Sequence, residues 1–219
     1  MAVPKRKLEY SPEEYLAFER EAETKHEYLD GQIYAMAGAS PLHNQISFNV
    51  SGELHRQLKG SAYIGYTSDQ KIRTDAMDLF AYPDLTIVCG EPVFHDDKKD
   101  VILNPTVIIE VLSPSTESYD RNEKFLKYQN LSSLSDYILI AQNHPAVEHF
   151  IRQKGKRQWL YTLETEMEAV IQIASIKCSL KLADIYDRVK FPPLKPPIAA
   201  IENEIAPAPK KKSKKSKSS

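Results

Sequence analysis

Apolar residues recur at every fourth position in one stretch of the first third of the chain. The repeat places four side chains on one face of a helix: Ile46, Val50, Leu54 and Leu58. The pattern predicts a helix from Leu42 to about Lys59, because Gly60 is typical of a helix end. Nearer the start of the chain, Ser11 can cap a shorter helix that extends to about Glu21.

Alternating apolar and polar positions predict strands over much of the remaining chain. A hairpin is expected around Asp30 and Gly31, since this dipeptide tolerates the positive φ angles of a tight turn. Further strands are predicted for SAYIGYT, QKIRT, PDLTIVC, DYILIAQ, AVEHFIRQ, QWLYTLE and AVIQIA, the last four as half-buried antiparallel strands. The run from about Thr106 to Leu112 is almost entirely apolar, which is typical of a central strand.

A third helix is predicted from about Thr116 to Asn130, with Phe125 and Tyr128 on the side that packs against the sheet. Helices therefore come both before and between groups of strands, and no segment repeats at a fixed period. This order predicts a mixed α/β (α+β) fold, in which helices flank a sheet that contains parallel and antiparallel strands.

The composition agrees with one globular domain. The chain has 219 residues, of which 42% are hydrophobic and 27% are charged. No apolar run approaches the roughly 20 residues of a membrane-spanning helix, and Cys89 and Cys178 lie in no disulfide or metal-binding pattern. We therefore expect a cytoplasmic protein that has no membrane partner.

The charge is distributed unevenly along the chain. The formal net charge is -1, yet the last ten residues hold six lysines, so the rest of the chain carries about -7. Six of the fourteen prolines lie between Phe191 and Pro209, a composition that favours an extended chain. We expect one domain over 1–189 and a disordered tail over 190–219, Pro-rich and then Lys/Ser-rich. The tail either keeps the protein soluble or tethers it to nucleic-acid phosphates.

Two acidic residues lie inside otherwise apolar strands, namely Asp84 in YPDLTIVC and Glu110 in PTVIIEVLSPST. Burying a carboxylate is costly unless it is paired, hydrogen-bonded or bound to a metal ion. If the two strands are neighbours, both carboxylates can bind one hard divalent cation, Mg²⁺ or Mn²⁺. The alternative is that one or both point into solvent at a strand end.

These acids carry a resemblance to a known superfamily. The Pro83-Asp84 pair at the head of one strand and Glu110 within the next resemble the PD-(D/E)xK nuclease superfamily. The succession PDLTIV, IIEVLSPST, DRNEKFLKYQ and DYILI resembles, more narrowly, the Uma-type (Uma-two) family of predicted restriction endonucleases. The resemblance covers the chain from about Tyr10 to Val189. It implies a restriction-endonuclease-like core with Asp84 and Glu110 as catalytic metal ligands.

One position departs from the superfamily pattern. The superfamily's lysine lies two residues after the glutamate, and this chain has Leu112 there. In this branch the resemblance places the lysine on the following helix, at Lys124. Asp120, Lys124 and Tyr128 are four residues apart, so they share one helix face and can line the site together. Lys124 would then neutralise charge that develops during phosphodiester hydrolysis.

Two further residues are candidates for the same site. The resemblance implies an additional acid from an N-terminal element, and Glu27 matches it; otherwise Glu27 is an exposed strand residue beside Lys25. His43 begins the long helix three residues before Ile46, so it either lines the site or caps the helix.

These observations predict a metal-dependent endonuclease that acts on DNA, with the lysine-rich tail as an additional DNA contact, and that works as a homodimer. The alternative is a catalytically inactive module of the same fold that binds nucleic acid or a protein. A third interpretation is a metal-dependent hydrolase of other phosphodiesters. Metal binding by Asp84 would separate the first from the second.

Overall fold

The fold consists of two main β-sheets with helices packed against them. The computed structural model describes residues 9–74 and 79–193. Its helices are α1 (Pro12–Glu19), α2 (Pro41–Leu58), α3 (Glu117–Tyr119), α4 (Phe125–Tyr128) and α5 (Leu182–Ile185), with a π-helical turn over Asp120–Lys124 and a 3₁₀ turn over Ala174–Ile176. Because α3, the π-helical turn and α4 follow one another without a break, we call them together the 117–128 helix.

The strands are short, as is usual in sheets of this size. They are β1 (His26–Leu29), β2 (Gln32–Ala35), β3 (Tyr63–Thr67), β4 (Lys71–Thr74), β5 (Leu79–Ala81), β6 (Leu85–Cys89), β7 (Val101–Ile102), β8 (Val107–Leu112), β9 (Asp136–Ala141), β10 (Val147–Arg152), β11 (Trp159–Glu164), β12 (Val170–Ile173) and β13 (Cys178–Lys181). The predicted mixed α+β class, with helices flanking mixed sheets, is confirmed.

The strands divide between two main sheets rather than forming the single sheet expected from the sequence. The large sheet has the order β11-β10-β9-β8-β6-β3, the small sheet has the order β2-β1-β5-β4-β7, and β12 pairs with β13. The sequence pattern missed β5, β7, β13 and the short helix α5, which have two to four residues each, because so few positions show no periodicity.

Strand β8 is the centre of the large sheet. It pairs antiparallel with β6 and parallel with β9, and all six of its residues are buried. The prediction of a central strand is therefore confirmed. The prediction that DYILIAQ is a half-buried antiparallel strand is right in one part and wrong in another: β9 pairs antiparallel with β10, but all six of its residues are buried. On its other edge β9 runs parallel to β8, and the 117–128 helix forms the crossover between these two strands.

Helix α2 covers one face of the large sheet. Its predicted apolar stripe, Ile46, Val50, Leu54 and Leu58, is buried in one hydrophobic cluster with β6 and β8 residues such as Ile87 and Ile109. The helix begins after Ser40, whose Oγ accepts a hydrogen bond from the His43 N–H. The 117–128 helix packs against the opposite face through a second cluster that includes Tyr128 and Ile108.

The hairpin between β1 and β2 has the predicted turn. Asp30 and Gly31 have φ angles of 46° and 80°, and the strands pair from Leu29 opposite Gln32 onward. Strand β1 also pairs with β5, which anchors the hairpin in the small sheet. This position brings Glu27 of β1 close to the ends of β5 and β6.

The end of the predicted domain packs against the core. Val189 and Phe191 contact the α2 cluster, and the Phe191 ring centroid lies 5.1 Å from that of Tyr186. The predicted tail lies outside the described residues from residue 194 onward. None of the described helices combines the length and hydrophobicity needed to cross a membrane.

Truncation of a side chain should be costly on the buried face of α2 and almost neutral on its exposed face. Leu54→Ala leaves a cavity under the helix and should lower the free energy of unfolding by about 2–5 kcal/mol. Phe48→Ala changes a side chain that is 75% exposed, and should change that free energy by less than about 0.5 kcal/mol. Urea unfolding of the two variants checks this; equal losses would mean that α2 is oriented differently on the sheet.

Candidate active site

Two neighbouring strands bring Asp84 and Glu110 together. Leu85 pairs with Ile109, so Asp84, which directly precedes β6, lies across from Glu110. The Asp84 N–H donates a hydrogen bond to Glu110 Oε2 at 3.4 Å, and the Val111 N–H donates to Asp84 Oδ2 at 2.7 Å. The expected convergence of the two acids is thus present, and neither is displaced into solvent at a strand end.

The two carboxylates differ in their access to water. The Glu110 side chain is 6% exposed, whereas the Asp84 side chain is 17% exposed. Asp84 also lines an open cleft of about 270 Å³ beside α2. A molecule in this cleft would therefore reach Asp84 first, with Glu110 behind it.

Lys124 is buried among three carboxylates. Its Nζ lies 2.9 Å from Glu110 Oε1, 3.1 Å from Glu27 Oε1 and 3.5 Å from Asp120 Oδ1, and its side chain is 5% exposed. Leu112, where the superfamily has its lysine, is buried in the cluster beneath the 117–128 helix. The ammonium group therefore reaches Glu110 from the helix rather than from the strand.

The π-helical turn positions Asp120 and Lys124. Both residues are buried in the turn, while Asn122 and Glu123 between them are exposed. A π-helical turn widens a helix locally and is frequent at functional sites. The Tyr137 hydroxyl donates to the Asp120 carbonyl oxygen at 3.0 Å, which ties the turn to β9. The sequence predicted a regular helix here, because side-chain periodicity does not reveal one wider turn.

Glu27 and Tyr128 complete the surroundings of Glu110 and Lys124. Glu27 Oε1 accepts a hydrogen bond from the Tyr82 N–H at 3.1 Å in addition to its ion pair with Lys124. The Tyr128 hydroxyl donates to Glu110 Oε1 at 3.2 Å. Glu27 is therefore not the exposed strand residue of the alternative interpretation; its side chain is 14% exposed.

His43 approaches Asp84 from the opposite side. Its Nε2 lies 3.1 Å from Asp84 Oδ2, and its Nδ1 lies 3.5 Å from Ser47 Oγ. Since its backbone N–H also bonds Ser40, His43 both belongs to the first turn of α2 and lines the cleft. The capping residue is Ser40, so the interpretation of His43 as a helix cap is wrong.

The electrostatics of the cluster follow from one ammonium group among several carboxylates. Burial raises the pKa of Glu110 well above its ordinary value, and the nearby Asp120, Asp84 and Glu27 carboxylates act in the same direction against Lys124. Burial also raises the pKa of Asp120. Burial acts to lower the pKa of Lys124, but Glu110 and Glu27 outweigh it, so Lys124 stays protonated.

Some neighbours of the site had no signal in the sequence. The Tyr119 ring centroid lies 5.8 Å from Lys124 Nζ, in the range of a cation–π contact. The N–H groups of Tyr82 and Val111 bond site carboxylates, and backbone donors leave no trace in residue identity.

The donor set suits a hard divalent cation. Within the described ranges, no three His, Cys, Asp or Glu side chains are grouped as a ready-made metal site. Mg²⁺ does not require such a group, since it is commonly held by one or two carboxylates and completes its shell with water and phosphate oxygens. Asp84 and Glu110 are the two carboxylates that could hold it.

Comparison with known proteins places this arrangement in a family. Residues 12–182 match the model of the Uma2 family, described as "Putative restriction endonuclease". The uncharacterized proteins sll1609 and slr1290 of Synechocystis are 36% identical over 164 residues and 35% identical over 183 residues. These alignments cover 75% and 83% of this chain, and 92% and 93% of the relatives.

A solved structure shares the fold. The crystal structure titled a putative nuclease belonging to DUF820, from Anabaena variabilis, superposes with a TM-score of 0.68 at 16% identity, over 81% of this chain and 98% of that chain. The expected restriction-endonuclease-like core is therefore confirmed as a fold. With its family model matched over most of the described residues, the chain belongs to the Uma2 family of restriction-endonuclease-like proteins.

Proposed function

We propose that this protein is an endonuclease that hydrolyses phosphodiester bonds of DNA with the help of Mg²⁺ or Mn²⁺. Asp84 and Glu110 hold the cation, while Lys124 and Glu27 complete the catalytic group. The family description and the name of the solved structure support the nuclease class. The assignment of these residues rests on the geometry of the site.

The observation that carries the proposal is the excess of buried negative charge. Three carboxylates, those of Glu110, Glu27 and Asp120, lie within 3.5 Å of the Lys124 ammonium group. A fourth, that of Asp84, lies on the neighbouring strand across from Glu110. Such an excess is costly in a partly dry site unless protons or a cation balance it. A divalent cation next to Asp84 would balance this negative charge, and it could reach Asp84 through the open cleft.

The chemistry of the bound cation is to lower the pKa of a water molecule and to polarise the scissile phosphate. The protein residues position and balance the charges around it. Lys124 supplies a fixed positive charge where negative charge develops on the phosphate. Tyr128 holds Glu110 by donating to Oε1, and its own pKa is raised well above the ordinary value by burial, so it remains a donor. His43 and the Val111 N–H orient Asp84.

Three further parts of the proposal concern partners and location. DNA is the proposed substrate, and the lysine-rich tail would add a salt-sensitive attraction to its backbone, offsetting the acidic body. Cutting both strands of a duplex calls for two active sites, so the proposal includes a homodimer. A cytoplasmic protein would meet this substrate directly.

The first prediction is loss of cleavage when either metal ligand is removed. Asp84→Ala and Glu110→Ala should abolish nicking of supercoiled plasmid in Mg²⁺ or Mn²⁺, as EDTA should for the unaltered protein. Asp187→Ala, which changes an acid with a 66% exposed side chain, is the control and should cut normally. If both site variants nick like the control, the assignment of the metal ligands fails.

The second prediction separates Lys124 from the cation. Lys124→Ala removes a positive charge 2.9 Å from a metal ligand, so Mn²⁺ should bind at least as tightly as before, while cleavage falls by about 10²-fold or more. Calorimetry and the plasmid assay measure the two effects.

A neighbouring lysine provides the matched control. Lys127, three positions later on the same helix, is buried as well but pairs with Asp30 at 2.7 Å. Lys127→Ala should retain cleavage. Equal losses of cleavage in the two lysine variants would mean that Lys124 has a structural role alone.

The third prediction concerns pH. Burial raises the pKa of Glu110, so this carboxyl group keeps its proton at pH values where an ordinary glutamate is ionised. A cation that binds Glu110 must displace this proton. Mn²⁺ affinity should therefore rise with pH, and binding should release protons. Titration calorimetry in buffers of different ionisation enthalpy measures the release. Proton release that persists unchanged in Glu110→Gln would contradict this origin.

A further inference from the structure

The open cleft beside Asp84 has features of a base-binding site. It lies between the exposed face of α2 and the end of β3 with the turn that follows. Its lining residues include His43, Ser47 and Phe48 of the helix, Thr67 at the end of β3 and Ser68 of the turn. Since Asp84 lines the same cleft and its N–H bonds Glu110, a molecule in the cleft lies directly beside the candidate metal ligands.

Phe48 is the unusual member of this lining. Its side chain is 75% exposed, and none of the described aromatic rings contacts it. The stripe that anchors α2 to the sheet lies on the other side of the helix, so Phe48 contributes little to the core. A single exposed apolar side chain is ordinary on a protein surface, but this one lies in the cleft that leads to the carboxylates.

The polar part of the lining is almost uncharged. Apart from Asp84 and His43, the described lining residues contribute hydroxyl, amide and apolar groups, and none of them is lysine or arginine. Proteins that bind a duplex through its backbone neutralise several phosphates with such basic residues. Single-strand binders use basic residues along the backbone as well, so their absence from this lining indicates a contact to a base rather than to phosphates. An aromatic ring with neighbouring hydroxyl groups suits the face and edges of an unstacked base.

We propose that this cleft binds an unpaired nucleobase, stacked on Phe48, and thereby selects single-stranded or locally opened nucleic acid as the substrate. This inference rests on the proposed nuclease function and narrows its substrate from DNA in general to strands that are unpaired at the site of cleavage, including the opened part of a duplex. Stacking on Phe48 holds the base at the cleft, while the adjoining phosphodiester lies toward Asp84 and Glu110. Hydroxyl groups of Ser47 and Thr67 are available to the edges of the base.

Binding in EDTA tests the inference without cleavage. A short single-stranded DNA and a duplex of the same sequence are titrated at one fixed salt concentration, because affinity for nucleic acid depends steeply on salt. We expect the single strand to bind about tenfold more tightly than the duplex. In Phe48→Ala we expect single-strand binding to weaken about tenfold while duplex binding stays unchanged.

Two other variants make the test specific. Phe48→Trp keeps a stacking surface and adds a reporter to a chain whose one tryptophan is Trp159, so the single strand should quench its additional fluorescence. Leu126→Ala removes an apolar side chain that is 60% exposed on the 117–128 helix, and should bind like the unaltered protein. Equal single-strand affinity in Phe48→Ala and Leu126→Ala, or a duplex bound as tightly as the single strand, would overturn the inference.

The plasmid assay distinguishes this inference from the proposed function. If Phe48→Ala still nicks supercoiled plasmid and shows no change in single-strand binding, the nuclease function stands and the base-binding cleft is refuted. If the single strand binds through Phe48 but no cleavage occurs in Mg²⁺ or Mn²⁺, the cleft stands and the nuclease function is refuted.

Discussion

The buried ammonium group of Lys124 is the interaction on which the site depends. A lysine with 5% exposure is stable only beside anions, and Glu110 and Glu27 supply them at 2.9 and 3.1 Å. The same carboxylates exceed the one positive charge, and the proposed cation would balance this excess. Removing one partner would leave an unbalanced buried charge, so the burial of each of these residues depends on the others.

The fold explains how groups so distant in sequence meet. The parallel pairing of β8 with β9 requires a crossover, and the 117–128 helix is that crossover, lying over the face of β8 from which Glu110 projects. The small sheet brings Glu27 to the same place through the pairing of β1 with β5. Helix α2 adds His43 from the side that is open to solvent. The site thus combines residues from four structural units: the large sheet, the 117–128 helix, the small sheet and α2. Asp84 connects the cluster to the cleft.

The sequence predicted the elements that have a period and missed those that have none. The four-residue repeat located α2, because one face of this helix is buried. The apolar run located β8, because both faces of this strand are buried. The acids were visible as charged residues in apolar strands, and the resemblance pointed to Lys124. The π-helical turn, the short strands β5, β7 and β13 and the division into two main sheets depend on backbone geometry and long-range pairing, which residue spacing does not encode. For the same reason Tyr119 and the backbone donors to Glu27 and Asp84 emerged from the structure alone.

The central claim is that Asp84 and Glu110, beside the buried Lys124, form a metal centre. The most direct test is an anomalous difference map from crystals of the unaltered protein grown with Mn²⁺. The account predicts a strong peak within coordination distance of both Asp84 and Glu110, and its loss in crystals of Asp84→Ala. A map in which Mn²⁺ lies elsewhere, or in which the Asp84–Glu110 pair remains empty at saturating Mn²⁺, would contradict it.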